Sequence, residues 1–246
     1  MKNIFTKYND ILLNENIDNN DIYLIYQFFI HKNEKRNNEI LYCLKQNIKL
    51  GLFKKIILLN ERIYKKEELR LNDNEMINIQ QINISERLKF NNIFNYSKIL
   101  KLNGYIVFCN ADIFFDETIK NLHRSSLSMT KSIYTLLRFE YTNEENLKEC
   151  KLYSPNNKPI CDSQDTWIYH TNQLIITNKL LEQTNFMFGK PGCDNKISYI
   201  FSSNGYKCIN VPFNIKTYHY HLTNIRNYTK KERIKPPYLF CKPILN

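Results

Sequence analysis

Glycine and proline are scarce in this sequence, with five and seven residues among 246. Flexible linkers are usually rich in glycine or proline, so their scarcity predicts one domain that spans residues 1–246. No CxxC pair occurs among the seven cysteines, which argues against a structural zinc site. The odd cysteine count and the apolar neighbours of several cysteines predict reduced, mostly buried thiols.

Long apolar runs are also missing. No run of about 18 apolar residues occurs, so the sequence predicts no membrane-spanning helix. Residues 1–20 are polar and partly acidic, unlike a signal peptide, so we expect a cytoplasmic protein. Long blocks of Lys or Arg are absent too, although the formal net charge is +11. That charge favours anionic partners such as a membrane surface or a nucleoside diphosphate, and a Lys- and Asn-rich composition also produces it.

The sequence does contain a pattern that forms a core. Hydrophobic residues make up 43% and charged residues 24%, which is typical of a globular domain. Apolar runs predict strands at 21–29, 55–59, more weakly 75–84, 105–109, 132–139, 173–177 and 207–213. Apolar residues at helical spacing predict helices at 37–50, from a Ser85 cap to about 104, and at 194–203. This order predicts an α/β fold with a central mixed sheet flanked by helices.

Asp112 follows the most apolar of the predicted strands, within the segment Asn110-Ala111-Asp112. A carboxylate at the C-terminal end of a central parallel strand points into the crevice where α/β folds bind ligands. There it could hold Mg²⁺ or Mn²⁺ against a diphosphate. The alternative is that Asn110 and Asp112 are ordinary turn residues.

Three further acidic or histidine positions carry possible chemistry. Asp194 opens the predicted helix at 194–203, where it is either an N-cap or a general base for an acceptor hydroxyl. His219 and His221 alternate in an extended segment, so their side chains share one face and can bind a metal together. Paired histidines also occur without any metal role.

The only tryptophan lies beside two acids. Asp162 and Asp165 precede Trp167, and an exposed ring beside carboxylates suits sugar binding. The alternative is a turn followed by a tryptophan in the core. Arg87 precedes the central strand and could approach phosphate, whereas the alternative is a solvated surface charge.

Four of these motifs, taken in order, resemble those of GT-A glycosyltransferases, in particular small glycosyltransferase domains of bacteria and large DNA viruses. They are NADIFFD at 110–116, SQDTWIY at 163–169, PGCDN at 191–195 and KTYHYH at 216–221. The resemblance covers roughly residues 21–230. It implies a Rossmann-like GT-A fold in which residues 21–110 bind the nucleotide and residues 111–230 form the metal and acceptor half.

The resemblance also implies roles for particular residues. Asp112 and His219 would bind Mn²⁺ or Mg²⁺, with Asn110 in place of the first Asp of the DXD motif. Asp194 matches the base of inverting enzymes. Cys193 stands where a Glu precedes that base, which leaves Asp165 as a rival. Gln27, Phe28 and Phe29 would lie near the nucleotide base. Arg87 would lie near phosphate or ribose. Asp165 and Trp167 would form the acceptor pocket.

The implied activity is metal-dependent transfer of a hexosyl or deoxyhexosyl group from a nucleotide sugar to a hydroxyl of a glycan or lipid-linked acceptor. A catalytically inactive scaffold of the same fold is one alternative. A nucleic-acid-binding protein is another, but no RNP, zinc-finger or helix-turn-helix signature is present, so we expect no nucleic acid partner. A sugar nucleotidyltransferase is disfavoured, because the segment QFFIHKNEKR at 27–36 lacks the glycines of its phosphate loop.

Overall fold

The structure is a computed structural model that describes residues 18–142, 146–154, 161, 163–226 and 228–245. Its strands are β1 (Asp21–Tyr26), β2 (Lys55–Asn60), β3 (Ile79–Asn83), β4 (Gly104–Cys109), β5 (Ile113–Phe115), β6 (Ser132–Leu137), β7 (Phe139–Glu140), β8 (Lys151–Leu152), β9 (Gln164–His170), β10 (Lys207–Ile209) and β11 (Thr217–His219). Its α-helices are α1 (Glu34–Leu50), α2 (Lys66–Leu69), α3 (Asp73–Met76), α4 (Phe90–Ile99), α5 (Asn178–Gln183) and α6 (Cys193–Ser203). Among the described residues, no helix is both long and apolar enough to cross a membrane.

The central sheet has seven strands in the order β10-β6-β9-β4-β1-β2-β3. β9 runs antiparallel to β4 and β6, and the other neighbours are parallel. Leu24 and Val107 pack on the face covered by α1, whereas Ile25 and Ile106 pack on the face covered by α4 and α6. A strand covered on both faces must be apolar throughout. The predicted α/β fold with a mixed sheet between helices is therefore confirmed.

Helix α1 begins close to the C-terminal end of β1 and carries Arg36 in its first turn. The side chain of Asn33 caps the helix by accepting a hydrogen bond from the Arg36 N–H at 3.0 Å. This cap starts the helix three residues before the predicted position 37. Gly51 ends it as predicted, in the left-handed conformation that glycine adopts without strain.

A second, smaller sheet has four strands in the order β5-β11-β7-β8. β11 pairs antiparallel with β5 and parallel with β7, so His219 lies opposite Ile113 on one side and Glu140 on the other. β5 begins at the residue that follows Asp112. The small sheet therefore brings Asp112, His219 and Glu140 together just beyond the C-terminal end of β4.

The predicted strand at 173–177 is wrong. These residues are irregular, and Ile175 is 62% exposed. The side chain of Thr177 accepts from the N–H of Leu180 and so caps α5 instead of extending a strand. The strand in this part of the chain is instead β9, which ends before residue 173 and in which every residue except Asp165 is buried.

Several predicted boundaries also differ from the structure. β1 ends at Tyr26, because the N–H of Phe28 donates to the side chain of Asn60 at 2.9 Å. The helix predicted from Ser85 begins only at Phe90, since Ser85 has a φ of 56°. Two more strands are shorter than predicted. The strand predicted at 75–84 is β3, and the strand predicted at 207–213 is β10.

Candidate active site

A cavity of about 290 Å³ opens at the C-terminal ends of β1, β2 and β4. It is lined by the residues that follow these strands, among them Gln27, Glu61 and Asn110. Arg36 of α1 and Asp112 also reach it. The carboxyl ends of parallel strands are the usual ligand site of open α/β sheets. The cavity is therefore the candidate active site.

Asp112 is a buried residue of the cavity lining. Its Oδ2 accepts from Nη2 of Arg36 at 2.5 Å and lies 3.3 Å from Nε2 of His219 and 3.6 Å from Nδ1 of His221. One oxygen of Asp112 and one nitrogen of each histidine lie within 4.8 Å of one another. A carboxylate and two imidazoles at this spacing can bind one divalent cation.

Two polar atoms of this group have no hydrogen-bond partner within the described part of the chain: Oδ1 of Asp112 and Nδ1 of His221. The Nε2 of His221 lies 3.0 Å from the carbonyl oxygen of Ile225. Because a carbonyl only accepts, Nε2 carries the hydrogen, and Nδ1 turns a lone pair toward Asp112. A buried lone pair beside a carboxylate is unfavourable without a cation between them. The residues present therefore fit a metal ion.

The protonation states of Asp112 and His221 suit metal binding, whereas His219 must release a proton before its Nε2 can bind a cation. Burial and the nearby Arg36 lower the pKa of His221 to about 4, so its ring is neutral at pH 7. Burial opposes ionisation of Asp112, but His219 and Arg36 outweigh it and hold the pKa well below the usual range. Burial likewise opposes protonation of His219, yet Asp112 and Glu140 raise its pKa to about 9. Asp112 is thus ionised at pH 7.

Asp165 lines the cavity beside this group and is held on both oxygens. Oδ1 accepts from Nδ2 of Asn110 at 2.6 Å, and Oδ2 pairs with Nη1 of Arg138. The Oδ1 of Asn110 lies beside Gly189. Neither contact joins Asn110 to Asp112 and the histidines, so its role as a metal ligand stays a prediction.

The residues predicted near the nucleotide fall into two groups. Gln27, Phe29 and Arg87 line the cavity. Arg87 donates to the carbonyl of Phe188 at 3.3 Å. Phe28 is fully buried and packs edge-on against Tyr64 at 5.2 Å between ring centroids. The prediction that Phe28 contacts the base is therefore wrong, because consecutive residues of an extended segment point to opposite sides.

Trp167 does not reach the cavity either. It is fully buried and its ring lies 5.2–5.6 Å from the rings of Phe90, Phe108 and Phe188. The prediction that Trp167 covers a sugar acceptor is wrong, because the ring has no exposed surface. Asp162, the second acid of that motif, lies outside the described residues.

Asp194 lies in the first turn of α6 and is 9% exposed. Gly192, with a φ of 79°, takes the N-cap position that the sequence suggested for Asp194. Among the described residues that line the cavity, Asp165 is present and Asp194 is not. The role of Asp194 as a base stays a prediction.

Arg138 and Glu140 belong to the site but were not identified from the sequence. Nε of Arg138 donates to Oε1 of Glu140 at 2.7 Å, and Oε2 of Glu140 lies 3.0 Å from Nδ1 of His219. Arg138 follows directly on the fully buried strand β6, and Glu140 lies two residues further on, at the end of β7. Charged residues just after a buried, mostly apolar strand are the signal that pointed to Asp112, and a similar signal was present here.

No family model matches this sequence, and no curated protein resembles it in sequence. Solved structures do resemble the fold. GalNAc-T7, solved with UDP, GalNAc and Mn²⁺, is 12% identical over 88% of this chain and 46% of its own, with a TM-score of 0.53. The mannosyltransferase PcManGT from Pyrobaculum calidifontis, solved with GDP-Man and Mn²⁺, is 10% identical over 82% of this chain and 57% of its own, with a TM-score of 0.51.

The chain therefore spans about half the length of these two GT-A glycosyltransferases. The likeness confirms the predicted GT-A-like fold. Identities of 10–12% show the fold alone. The function has to be argued from the site itself.

Proposed function

We propose that this chain is a manganese-dependent glycosyltransferase that binds a nucleotide sugar in the cavity and transfers the sugar to a hydroxyl acceptor. The observation that carries the proposal is the buried group of Asp112, His219 and His221, in which Oδ1 of Asp112 and Nδ1 of His221 lack a hydrogen-bond partner among the described residues. The group opens into a cavity at the strand ends where this fold binds nucleotides.

The donor set favours Mn²⁺ over Mg²⁺. Mg²⁺ prefers oxygen ligands, whereas this group offers two imidazole nitrogens beside one carboxylate. The two similar glycosyltransferases were both solved with Mn²⁺, which supports the same choice. When bound, the metal would neutralise charge that develops on the leaving nucleoside diphosphate.

The donor is proposed to be a nucleoside diphosphate sugar. The two similar enzymes were solved with UDP and with GDP-Man. Arg36 and Arg87 line the cavity here, and guanidinium groups bind phosphate oxygens in a forked geometry. We propose that Arg87 contacts the diphosphate or the ribose, and that Gln27 and Phe29 lie beside the nucleotide base.

We keep Asp194 as the proposed base of an inverting reaction, with Asp165 as its rival. Asp165 reaches the cavity, but Asn110 and Arg138 already occupy both of its oxygens. An Asp194→Asn variant is expected to lose activity while it keeps Mn²⁺-dependent nucleotide binding. Full activity in that variant together with its loss in Asp165→Asn would make Asp165 the base. The anomeric configuration of the product, read by NMR, tests inversion.

The acceptor is proposed to be a glycan or a lipid-linked glycan. The net charge of +11 would hold the protein near anionic membranes where such lipids reside. Sedimentation with vesicles that contain phosphatidylglycerol tests this at low salt. Failure to sediment would remove the membrane from the proposal and leave a soluble glycan as the acceptor.

Thermal unfolding with UDP-, GDP- and dTDP-sugars, with and without Mn²⁺, tests the proposal as a whole. A ligand at about one hundred times its dissociation constant stabilises by roughly 2.7 kcal/mol, which raises the melting temperature by roughly 5–10 °C at this size. We expect this shift with one nucleotide, only with Mn²⁺, and not in Asp112→Asn. Asp116→Asn, in the same motif but bonded to Tyr218, is the control and should keep the shift. No shift with any donor would contradict the proposal.

A further inference from the structure

Glu140 lies directly beside the proposed metal group without belonging to it. β7 and β11 run parallel, and their register places Glu140 opposite His219. The backbone keeps this register, because the N–H of Tyr141 donates to the carbonyl of His219 at 2.9 Å. Oε2 of Glu140 then lies 3.0 Å from Nδ1 of His219. A carboxylate at that distance accepts a hydrogen bond, so Nδ1 carries its hydrogen.

The carboxylate of Glu140 is itself held in place. Its other oxygen accepts from Nε of Arg138 at 2.7 Å. Arg138 in turn pairs with Asp165, and its guanidinium stacks 4.2 Å from the ring centroid of Tyr153. A charged side chain bonded through both oxygens has little freedom to rotate. The orientation of Glu140 therefore fixes the orientation of the imidazole that it contacts.

We infer that Glu140 is a positioning residue for the metal site, which holds the Nδ1–H of His219 so that Nε2 is the atom that faces Asp112. Nε2 lies 3.3 Å from Oδ2 of Asp112. Without the carboxylate, the ring is free to turn and to carry its hydrogen on the nitrogen that must bind the cation. This inference rests on the proposed function, because it requires the Asp112 group to bind a metal.

His221 gives an internal comparison for this role. Its orientation comes from the carbonyl of Ile225, which fixes the hydrogen on Nε2 and leaves Nδ1 as the ligand atom. The two histidines thus present opposite nitrogens to the same carboxylate, and each is set by a different acceptor. A carboxylate acceptor also raises the electron density on its imidazole, which a carbonyl does less. Loss of Glu140 should therefore weaken the His219 ligand and leave the His221 ligand intact.

The test is Mn²⁺ affinity of the full chain, measured by EPR of free Mn²⁺ without any nucleotide. Replacing an outer partner of a metal ligand typically costs about 10- to 100-fold in affinity. We expect that loss in Glu140→Leu and a smaller one in Glu140→Gln, whose amide oxygen still accepts from Nδ1. Glu117→Gln removes one charge from an exposed carboxylate paired with Lys120 and should keep wild-type affinity.

A double-mutant cycle separates positioning from a general loss of structure. If Glu140 acts through His219, Glu140→Leu in a His219→Ala background lowers the Mn²⁺ affinity no further. An additional tenfold loss in that background, or wild-type affinity in both Glu140 variants, would overturn the inference. If Glu140→Leu does not fold, the Glu140→Gln cycle gives the same answer. Failure of the wild-type chain to bind Mn²⁺ would instead contradict the proposed function.

Discussion

The central strands of the seven-stranded sheet are apolar on both faces, whereas the four-stranded sheet carries part of an ionic network. Ile25 and Val107 of the large sheet have no exposed surface. In the small sheet, Glu140 and His219 lie opposite each other on strands of two and three residues. Burial of apolar surface is the main source of stability, whereas a buried ionic network contributes little net stability but places charges. We therefore expect stability to depend on the large sheet and metal binding on the small one.

The largest expected effect is on stability, from Trp167→Ala in the large sheet. Removing a fully buried tryptophan costs about 3–5 kcal/mol, or roughly 6–20 °C in melting temperature. The protein that remains folded at low temperature should bind Mn²⁺ with wild-type affinity. Trp167→Phe keeps an aromatic ring and should lose less. A drop below roughly 2 °C together with lost nucleotide-sugar binding would show that the ring contacts a ligand.

The next largest effect is on Mn²⁺ affinity and not on stability, from His219→Ala in the small sheet. Loss of a ligand should lower Mn²⁺ affinity by more than about 100-fold, since loss of an outer partner alone costs about 10- to 100-fold. In EDTA the melting temperature should change less than in Trp167→Ala. His123→Ala is the matched control, because His123 contacts Asp18 and not this cavity. Unchanged Mn²⁺ affinity in His219→Ala would remove the metal site from the small sheet.

Arg87 tests nucleotide binding separately from metal binding, because it lines the cavity from the segment before α4 and not from the small sheet. A hydrogen bond to a charged partner is worth about 1.5–3 kcal/mol, so Arg87→Ala should weaken nucleoside diphosphate binding by about 10- to 100-fold at fixed Mn²⁺. Mn²⁺ affinity without nucleotide should stay unchanged. Arg124→Ala provides a control of the same charge. Equal nucleotide affinity in both variants, measured by calorimetry, would place the phosphates elsewhere.

The same contrast explains what could be predicted from the sequence. Runs such as GYIVFC identify β4 because a strand buried on both faces has no polar position. Asp112 was found because it follows that run. β7 has only two residues, so no periodicity identifies it. The pairing of Glu140 with His219 is set by a contact between segments 79 residues apart, and neither segment alone shows it.

Trp167 shows that a residue close in sequence to a site residue need not line the site. Asp165 and Trp167 are two residues apart on β9, whose pairing with β6 shifts register beside Asp165. Asp165 lies near the strand end and reaches the cavity. Trp167 lies two residues further into the sheet, where Phe90 of α4 packs against its ring. The sequence places the acid and the ring together, but helix packing decides which of them meets a ligand.

The smallest expected effect comes from an exposed ion pair at the edge of the large sheet. Hydrogen bonds from Arg62 and from the Lys65 N–H lower the pKa of Glu68 from 4.5 to about 2. Its stabilisation is therefore present above pH 4.5 and is lost as the pH falls toward 2. Exposed pairs contribute little, so Glu68→Gln should lower the melting temperature at pH 7 by no more than roughly 2 °C. The difference from wild type should shrink between pH 4.5 and 3, and Glu67→Gln is the control for the loss of one negative charge on the same helix. A loss as large as that of Trp167→Ala would mean that charge pairs, and not apolar burial alone, hold the large sheet together.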